Sequence, residues 1–222
     1  MPVITISRQF GSGGDAIADR VCQLTGFRRL DKELVANVAA EAGLSEQEIL
    51  DFSENDHRVE GFMDRLLRRS KPVGTMRVWK EHIDGTRYEE ELPVDAEHAL
   101  AMVQKLIRLA YRHGDWVIVG RGGQVLLRDR PDVLHLRIEA PLEDRIQRVK
   151  ILYHLERRAA QDLIEEKDAI SADYLMRFYE VDWAEPSLYQ ILINTGRLDL
   201  DLAAQLISSM IGCLRPVEAS IG

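Results

Sequence analysis

Short apolar runs alternate along the chain with longer amphipathic stretches. Runs rich in β-branched and aromatic residues have the length and composition of strands. The predicted strands lie at residues 3–6, 27–30, 116–119, 133–138 and 189–193. Apolar residues recur elsewhere at three- and four-residue spacing, which is typical of amphipathic helices. The predicted helices lie at residues 16–24, 32–42, 97–111, 142–153, 159–179 and 201–214. Five strands alternating with helices predict an α/β fold with a parallel five-stranded sheet flanked by helices.

One segment, residues 53–93, interrupts this alternation. It is highly charged, and Asp84-Gly85 is a favourable two-residue hairpin turn between two strand-like runs. We therefore predict an insert that carries a helix at residues 59–69 followed by a β-hairpin.

The length and composition fit one globular domain that spans residues 1–222, with a frayed tail at 215–222. Apolar residues make up 45% of the chain and charged residues 30%, and no apolar run approaches the ~20 residues of a membrane span. The first residues lack the basic flank and long apolar run of a signal peptide. We expect a cytoplasmic protein without membrane contact, in which the two cysteines are packing residues.

The charge balance argues against a broad nucleic-acid surface. The chain has 37 acidic and 29 basic residues, a formal net charge of -8. A local basic pocket for a small anionic ligand remains compatible with that balance. The six histidines show no metal-ligand spacing, so we do not expect a zinc site.

The strongest local signal joins the first strand to the first helix, where Gly11, Ser12, Gly13 and Gly14 follow one another. A glycine-rich turn at this place lets backbone N–H groups and the helix N-terminus converge on an anion, usually phosphate. The alternative is a simple tight turn. A dinucleotide fingerprint fits less well, because its third small residue falls on Ala16 and the acidic residue expected ~20 positions later has no clear candidate.

Arginines occupy positions suited to phosphate binding. Arg121 follows the third predicted strand of the sheet, at the carboxyl edge where open α/β sheets bind ligands. Its alternative is a solvated loop arginine. Arg145 and Arg148 are three residues apart and share a helix face. They either reach the transferring phosphate or pair with acidic neighbours.

An ordered set of motifs resembles the cytidylate kinase-like family. The motifs are the glycine loop at residues 7–15, Leu30-Asp31, Gly120-Arg121-Gly122, residues 140–145, Asp182-Trp183 and residues 193–198. The resemblance covers the chain apart from the insert and the tail. It implies a P-loop fold of the nucleoside monophosphate kinase type.

The resemblance also implies ligands and roles. The loop at Gly11, Ser12, Gly13, Gly14 and Asp15 would hold the phosphates of ATP, with Mg²⁺ as cofactor. Asp31 and Arg121 would face the acceptor nucleotide, although Asp31 is also placed to cap its helix. The insert at residues 53–93 would lie on the acceptor side, and helices at residues 153–179 would form a lid.

The loop departs from a Walker sequence, which has Lys followed by Ser or Thr to bind the β- and γ-phosphates and magnesium. Here the sequence is Gly14-Asp15-Ala16. We predict that Arg8 is the replacement cation and that Asp15 holds magnesium from the opposite side. The alternative is that Asp15 caps its helix while Arg8 pairs with an acidic neighbour.

The lid departs as well, since Ser171-Ala172 stands where a lid arginine is expected. Arg177 and the pair Arg157-Arg158 lie nearby, either as partial substitutes or as surface charge. The predicted catalytic set is Arg8, Arg121, Arg145 and Arg177. Gly122 replaces the acidic residue that follows this arginine in cytidylate kinases, so the resemblance does not extend to cytosine specificity.

Three functions follow as hypotheses. The first is transfer of the γ-phosphoryl group of ATP to a nucleoside monophosphate, with CMP as one candidate. The second is nucleotide binding by a catalytically impaired protein on the same scaffold. The third is an interaction protein with a vestigial pocket, whose hairpin at residues 76–92 pairs two copies into a homodimer by edge-strand addition.

Overall fold

The computed structural model describes residues 1–30, 74–81, 87–94 and 96–214. Several predicted features lie outside these residues. They are Asp31, the helices at 32–42 and 59–69, the Asp84-Gly85 turn and the tail at 215–222.

The described strands are β1 (Val3–Arg8), β2 (Arg28–Arg29), β3 (Gly74–Glu81), β4 (Arg87–Val94), β5 (Trp116–Val119), β6 (Val133–Glu139) and β7 (Ile191–Asn194). The described helices are α1 (Gly14–Thr25), α2 (Ala96–His113), α3 (Gly123–Leu126), α4 (Leu142–Tyr153), α5 (Arg157–Tyr179) and α6 (Leu200–Met210), with 3-10 turns at Pro186–Leu188 and Ile211–Cys213. The chain divides into two compact units, Met1–Arg29 with Ala110–Gly222, and Leu30–Leu109.

In the first unit five strands form a sheet in the order β2-β5-β1-β6-β7, and every neighbouring pair is parallel. This confirms the predicted parallel sheet. The central strand is β1, in which Ile4 lies between Val117 and Leu134. Parallel strands bring their carboxyl ends to one edge, so Arg8 and Glu139 end their strands on the same side of the sheet.

The apolar core on one face of the sheet explains why the strand and helix patterns are spaced as they are. Ile4 and Ile6 alternate along β1 and pack in one buried cluster with Ile17 of α1 and with Ala203 and Ile207 of α6. Burying each large aliphatic side chain contributes about 1.5–3 kcal/mol relative to leaving it exposed. The two helices are thereby fixed against the strand that carries the glycine loop.

The opposite face of β1 is polar and hydrogen-bonded. Nε2 of the buried His135 lies 3.2 Å from the carbonyl oxygen of Leu127, and its Nδ1 lies 2.7 Å from Oγ1 of Thr5. A carbonyl can only accept, so Nε2 carries the proton and Nδ1 accepts the Thr5 hydroxyl. Burial lowers the pKa of His135 to about 4, although its hydrogen bond to Leu127 opposes the change. The ring is therefore neutral at pH 7.

Helices α4 and α5 pack as a pair. Ile146 and Val149 of α4 meet Ala160 and Ile164 of α5 in a small buried cluster. Both helices match the predicted ones closely, except that α5 begins two residues earlier than expected. Phe10, which precedes the glycines of the loop after β1, packs against this cluster.

In the second unit β3 and β4 are antiparallel, with Met76 opposite Leu92 and Glu81 opposite Arg87. They overlap the predicted hairpin strands. Within the described part of this unit they form a two-stranded sheet. No helix among the described residues has the length and apolar character needed to span a bilayer.

Candidate functional site

The turn between β1 and α1 is a cradle of backbone N–H groups. Gly11 and Gly13 have φ values of 77° and 83°, and Ser12 N donates to the carbonyl of Gln9 at 3.1 Å. Gly13 is the N-cap of α1 and offers no side chain to cap it. Within the described residues no acceptor meets the N–H groups of residues 13–16. Unpaired N–H groups at a helix N-terminus form a natural anion site.

The side chain of Ser12 belongs to the same loop. It is fully buried, and its Oγ has no hydrogen-bond partner in the described part of the chain. A buried hydroxyl without a partner is costly, so such atoms frequently mark places where a ligand or water completes the structure.

Arg8 crosses the start of α1. A Cβ placed on Gly14 would lie 2.5 Å from Cβ of Arg8, and a Cβ on Gly120 would lie 3.1 Å from its Nη1. The Arg8 side chain therefore extends from the glycine loop to the loop after β5. Gly14 occupies the position of the Walker lysine, and the space that a side chain would need there is taken by Arg8.

Asp15 lies between two arginines. Its Oδ2 accepts from Nε of Arg8 at 3.2 Å, and its Oδ1 accepts from Nη2 of Arg29 at 2.7 Å. Arg29 also pairs with Asp19 at 2.5 Å. Desolvation alone would raise the pKa of the Asp15 carboxyl, but Arg8 and Arg29 outweigh it and hold that pKa below its usual range. Asp15 is thus an anion whose two oxygens are already engaged.

The loop after β5 holds Arg121 in a rare backbone conformation. Gly120, Arg121 and Gly122 have φ values of 70°, 60° and 74°, three successive left-handed residues. The left-handed region costs a non-glycine residue roughly 1–2 kcal/mol, so the two glycines relieve the strain on either side and Arg121 retains it. Strain of this kind is concentrated at ligand sites.

No carboxylate balances Arg121 among the described residues. Its side chain is half-buried, and no hydrogen bond or ion pair to it occurs there. Burial lowers the pKa of the Arg121 guanidinium, and the neighbouring Arg8 acts in the same direction, while Tyr174 opposes them. Arginine nevertheless remains charged at neutral pH. Arg8 and Arg121 are neighbouring cations, and of the two only Arg8 has a described carboxylate partner, Asp15. Such a pair of cations is a favourable place for a phosphate.

Two tyrosines of α5 pack against this loop, and the sequence did not predict them. A Cβ on Gly122 would lie 2.6 Å from Cε2 of Tyr179, so the ring fits only against glycine. Tyr174 lies beside Tyr179 with ring centroids 5.9 Å apart. Burial and the neighbouring Tyr179 raise the pKa of Tyr174, and Arg121 opposes that rise. The glycine at position 122 thus has a packing role in addition to its backbone conformation.

Arg145 is buried and bound to α5. Its Nη1 contacts Oδ2 of Asp168 at 2.5 Å, and the other Asp168 oxygen accepts from the backbone N of Phe10 at 2.8 Å. Asp168 therefore joins α5 to the first residues of the glycine loop. The described partners of Arg145 are this carboxylate and, at 3.4 Å, the carbonyl of Phe10. Of the two predicted alternatives, a phosphate or an acidic partner, the described contacts show an acidic one.

The remaining predicted residues are dispersed. Arg177 is exposed in the last turn of α5, with its guanidinium 5.3 Å from the ring centroid of Phe178. Arg157 forms an exposed ion pair with Glu143, as expected of surface charge. Asp31 lies outside the described residues. The structure therefore brings together Arg8, Asp15 and Arg121 with the loop, and it leaves Arg177 at the surface.

Behind the cradle a buried polar network supports the end of β1. Trp183 donates from Nε1 to Oγ of Ser7 at 2.8 Å, and the Tyr189 hydroxyl lies 3.2 Å from the same oxygen. Arg137, only 2% exposed, donates to the carbonyl of Trp183 and stacks on its ring at 4.4 Å. The network fixes Ser7, the residue before Arg8.

Arg148 and Thr195 were also missed as loop contacts. Arg148 donates to the carbonyl of Ser12 at 3.0 Å and to Thr195 Oγ1 at 2.9 Å. Its helix spacing predicted either a phosphate or an acidic partner, and the described contacts are to carbonyl and hydroxyl oxygens. The motif at residues 193–198 was the signal that could have pointed to Thr195.

The described residues offer no ready magnesium site. No group of three or more His, Cys, Asp or Glu side chains that could hold a metal occurs among them. Positions 14 and 15 are Gly and Asp, where a Walker loop has its Lys and its Ser or Thr. The donors that the described residues bring together at this loop are backbone N–H groups and arginine side chains, a set that suits an anion.

Comparisons with known proteins show the family and the fold of this chain. A model of the cytidylate kinase-like family matches residues 3–197. The structure of an uncharacterized protein from Eubacterium ventriosum is 20% identical with a TM-score of 0.64, and the match covers 96% of this chain and 99% of that one. The fold is thus shared with a solved structure over almost the full length of both chains.

Two shikimate kinase structures also match, with lower TM-scores. The enzyme from Bacteroides thetaiotaomicron is 11% identical with a TM-score of 0.48, and the match covers 95% of this chain and 98% of that one. The enzyme from Acinetobacter baumannii, in complex with shikimate, is 13% identical with a TM-score of 0.44, covering 96% and 94%. A comparison with curated protein sequences finds no match.

Proposed function

Because the chain belongs to the cytidylate kinase-like family, we propose that it is a phosphotransferase that moves the γ-phosphoryl group of ATP to a nucleoside monophosphate. CMP is the first acceptor to test. The donor phosphates lie in the N–H cradle of the glycine loop, and the acceptor phosphate lies against Arg121. Family membership suggests that ATP is used together with a divalent metal.

One observation carries this proposal. Arg8 extends from the cradle to Gly120, and Arg121, beside it, has no anionic partner among the described residues. Two phosphate-bearing ligands, one in the cradle and one at Arg121, would meet at the Arg8 guanidinium. Phosphoryl transfer needs this kind of convergence, because catalysis consists mainly of positioning and charge stabilisation.

The reaction assigns roles to these residues. An oxygen of the acceptor phosphate forms a bond to the γ-phosphorus, and the bond from that phosphorus to the oxygen bridging it to the β-phosphate breaks, leaving ADP. Arg8 stabilises the negative charge on the transferring group, and Arg121 orients the attacking phosphate. Asp31 as an acceptor contact, and Arg145 and Arg177 as further catalytic residues, stay predictions.

Magnesium enters this proposal only with the nucleotide. A divalent ion neutralises phosphate charge during transfer. Asp15 as its direct ligand would require the loss of contacts to Arg8 and Arg29. The phosphates of ATP and water supply the hard oxygen ligands that magnesium prefers.

The test is a comparison of binding and turnover. ADP formation is followed with ATP, magnesium and each nucleoside monophosphate, while calorimetry measures binding of ATP and of CMP separately. Arg121→Ala is expected to weaken monophosphate binding by ~1.5–3 kcal/mol, about 10- to 150-fold, the worth of a charge-assisted hydrogen bond. Arg8→Ala is expected to reduce ATP binding more than monophosphate binding.

A matched control is Arg128→Ala, because the Arg128 side chain is 64% exposed and pairs only with its neighbour Asp129 among the described residues. Unchanged monophosphate binding in a folded Arg121→Ala protein would contradict the acceptor assignment. Equal ATP affinities of wild type and Arg8→Ala would contradict the assignment of Arg8 as the cation that replaces the Walker lysine.

A second candidate function is nucleotide binding without catalysis. The observation that favours it is the pair of ion pairs on Asp15 in the first turn of α1. These contacts engage both oxygens of the carboxylate, and one of them also engages the Arg8 guanidinium. Saturable ATP binding without ADP formation, with any of the monophosphates, would select this candidate.

A further inference from the structure

The outer side of the glycine loop is fastened by two residues distant in sequence. Nη1 of Arg148 lies 3.4 Å from the carbonyl oxygen of Gly11, 3.0 Å from that of Ser12 and 2.9 Å from Thr195 Oγ1. Its Nη2 donates to the carbonyl of Thr195 at 2.9 Å. The Thr195 hydroxyl donates to the carbonyl of Ser12 at 2.6 Å. The Ser12 carbonyl therefore accepts from both residues, which we call the loop clamp.

Peptide geometry connects the clamp to the cradle. In a trans peptide the C=O and the following N–H point in opposite directions. A clamp on the Ser12 carbonyl therefore fixes the direction of the Gly13 N–H, which is the first donor of the cradle. Gly13 is flexible by itself, because glycine adopts left-handed and right-handed conformations with similar ease.

The chemistry of the clamp is specific. Asp144 lies one helical turn before Arg148, at the spacing that favours an ion pair, but the described hydrogen bonds of Arg148 all go to the loop and to Thr195. Thr195 is only 6% exposed, and its own N–H donates to the carbonyl of Glu139 at 2.9 Å. The Thr195 backbone is thus anchored to Glu139, the last residue of β6.

We propose that Arg148 and Thr195 are positioning residues, which hold the Ser12–Gly13 peptide so that the cradle N–H groups face the donor phosphates. This inference rests on the proposed function, because it concerns the same cradle. Neither residue contacts the reacting phosphate. The clamp acts through the backbone of the loop. Arg148 contributes hydrogen bonds to that backbone and does not place its charge against the ligand.

The experiment compares Thr195→Val, Thr195→Ser and Arg148→Ala by calorimetric titration with ATP, pyrophosphate and CMP. Thr195→Val removes the hydroxyl at constant shape and is expected to weaken ATP and pyrophosphate binding about 5- to 10-fold, the worth of one hydrogen bond. Thr195→Ser restores the hydroxyl and is expected to restore affinity. CMP binding, which depends on Arg121, is expected to stay the same in all three.

Thr25→Val is the matched control. Thr25 Oγ1 donates to the carbonyl of Val21 at 2.8 Å near the far end of α1, so the variant loses a similar hydrogen bond away from the loop. It is expected to lower the melting temperature without changing ATP affinity. If ATP affinity decreases together with the melting temperature in both Thr195→Val and Thr25→Val, the proposal is wrong.

Salt dependence separates positioning from direct phosphate contact. Removing a cation that touches phosphate reduces the dependence of affinity on ionic strength, because fewer charges are screened. Thr195→Val is expected to lower ATP affinity at every salt concentration by the same factor. If Arg148→Ala flattens the salt dependence while Thr195→Val has no effect, Arg148 binds phosphate directly and the clamp proposal is wrong.

A readout without ligand distinguishes this inference from the proposed function. Backbone amide NMR signals of Gly13 and Gly14 are expected to shift in Thr195→Val and to return in Thr195→Ser. If wild type binds neither ATP nor pyrophosphate, the proposed function fails, and unchanged Gly13 and Gly14 signals in Thr195→Val would overturn the clamp independently.

Discussion

The buried His135 predicts a loss of stability in mild acid. In the folded chain its pKa is about 4, against 6.5 for an ordinary histidine. Protonation is therefore penalised by folding, because a charged ring would lack solvent and Nδ1 would lose its ability to accept from Thr5. The stabilising contribution is complete above about pH 6.5, decreases as the pH falls, and is lost below about pH 4.

The magnitude follows from the two pKa values. The difference between 6.5 and about 4 corresponds to about 3 kcal/mol at 1.36 kcal/mol per pKa unit, of which about 2 kcal/mol is lost by pH 5. A loss of this size is a large fraction of the ~5–15 kcal/mol stability of a typical domain.

Urea denaturation between pH 7.5 and pH 4.5 measures the effect. The informative quantity is the difference in pH dependence between wild type and His135→Gln, since Gln can still donate to the Leu127 carbonyl but does not titrate. We expect His135→Gln to be less stable at pH 7.5 and to lose about 2 kcal/mol less than wild type on acidification to pH 5.

The control is His154→Asn. His154 is exposed and left-handed, with a φ of 53°, a conformation that Asn tolerates. This variant is expected to keep the wild-type pH dependence. Equal pH dependence in wild type and His135→Gln would refute the assignment, as would an NMR titration in which the His135 ring protonates near pH 6.5.

Two further predictions concern the glycine loop. Asp15→Asn removes the counter-charge of Arg8 and Arg29. The variant is expected to bind pyrophosphate roughly 3- to 10-fold more tightly at low salt, and this gain is expected to shrink with added salt. Weaker ATP binding with less dependence on magnesium would instead indicate that Asp15 is a metal ligand. Gly14→Ala places a Cβ 2.5 Å from Cβ of Arg8 and is expected to cost ~1–3 kcal/mol of unfolding free energy and to weaken ATP binding. Gly212→Ala, where a Cβ meets no atom within 4 Å, serves as its control, and equal melting temperatures for the two variants would contradict the packing argument.

The sheet and the loop could be predicted because their signals are local. Alternation of apolar residues along β1 follows from the two faces of a strand, and the Gly11–Gly14 turn follows from the conformations that only glycine adopts easily. The predicted boundaries of the strands were less accurate. The last strand begins at Ile191, two residues later than its apolar run, because Gln190 bonds to the neighbouring strand through its side chain and backbone.

The candidate site was less predictable, since its contacts join residues that are distant in sequence. The pair of Asp15 with Arg29 spans 14 positions, and the contact of Arg148 with Thr195 spans 47. The short helix α3 also escaped prediction, because four residues are too few for a periodic pattern.

The sequence by itself determined the α/β architecture, the glycine-rich turn after β1 and the glycines on either side of Arg121, because neighbouring residues alone set these features. The tertiary structure decided which charges meet. Arg8 became the cation between the two loops because β1 is the central strand and Gly14 leaves space beside it, while Arg145 was drawn to Asp168. The physical reason is that the direction and partner of a long charged side chain depend on the order of strands and the packing of helices, and burial of the whole core fixes both.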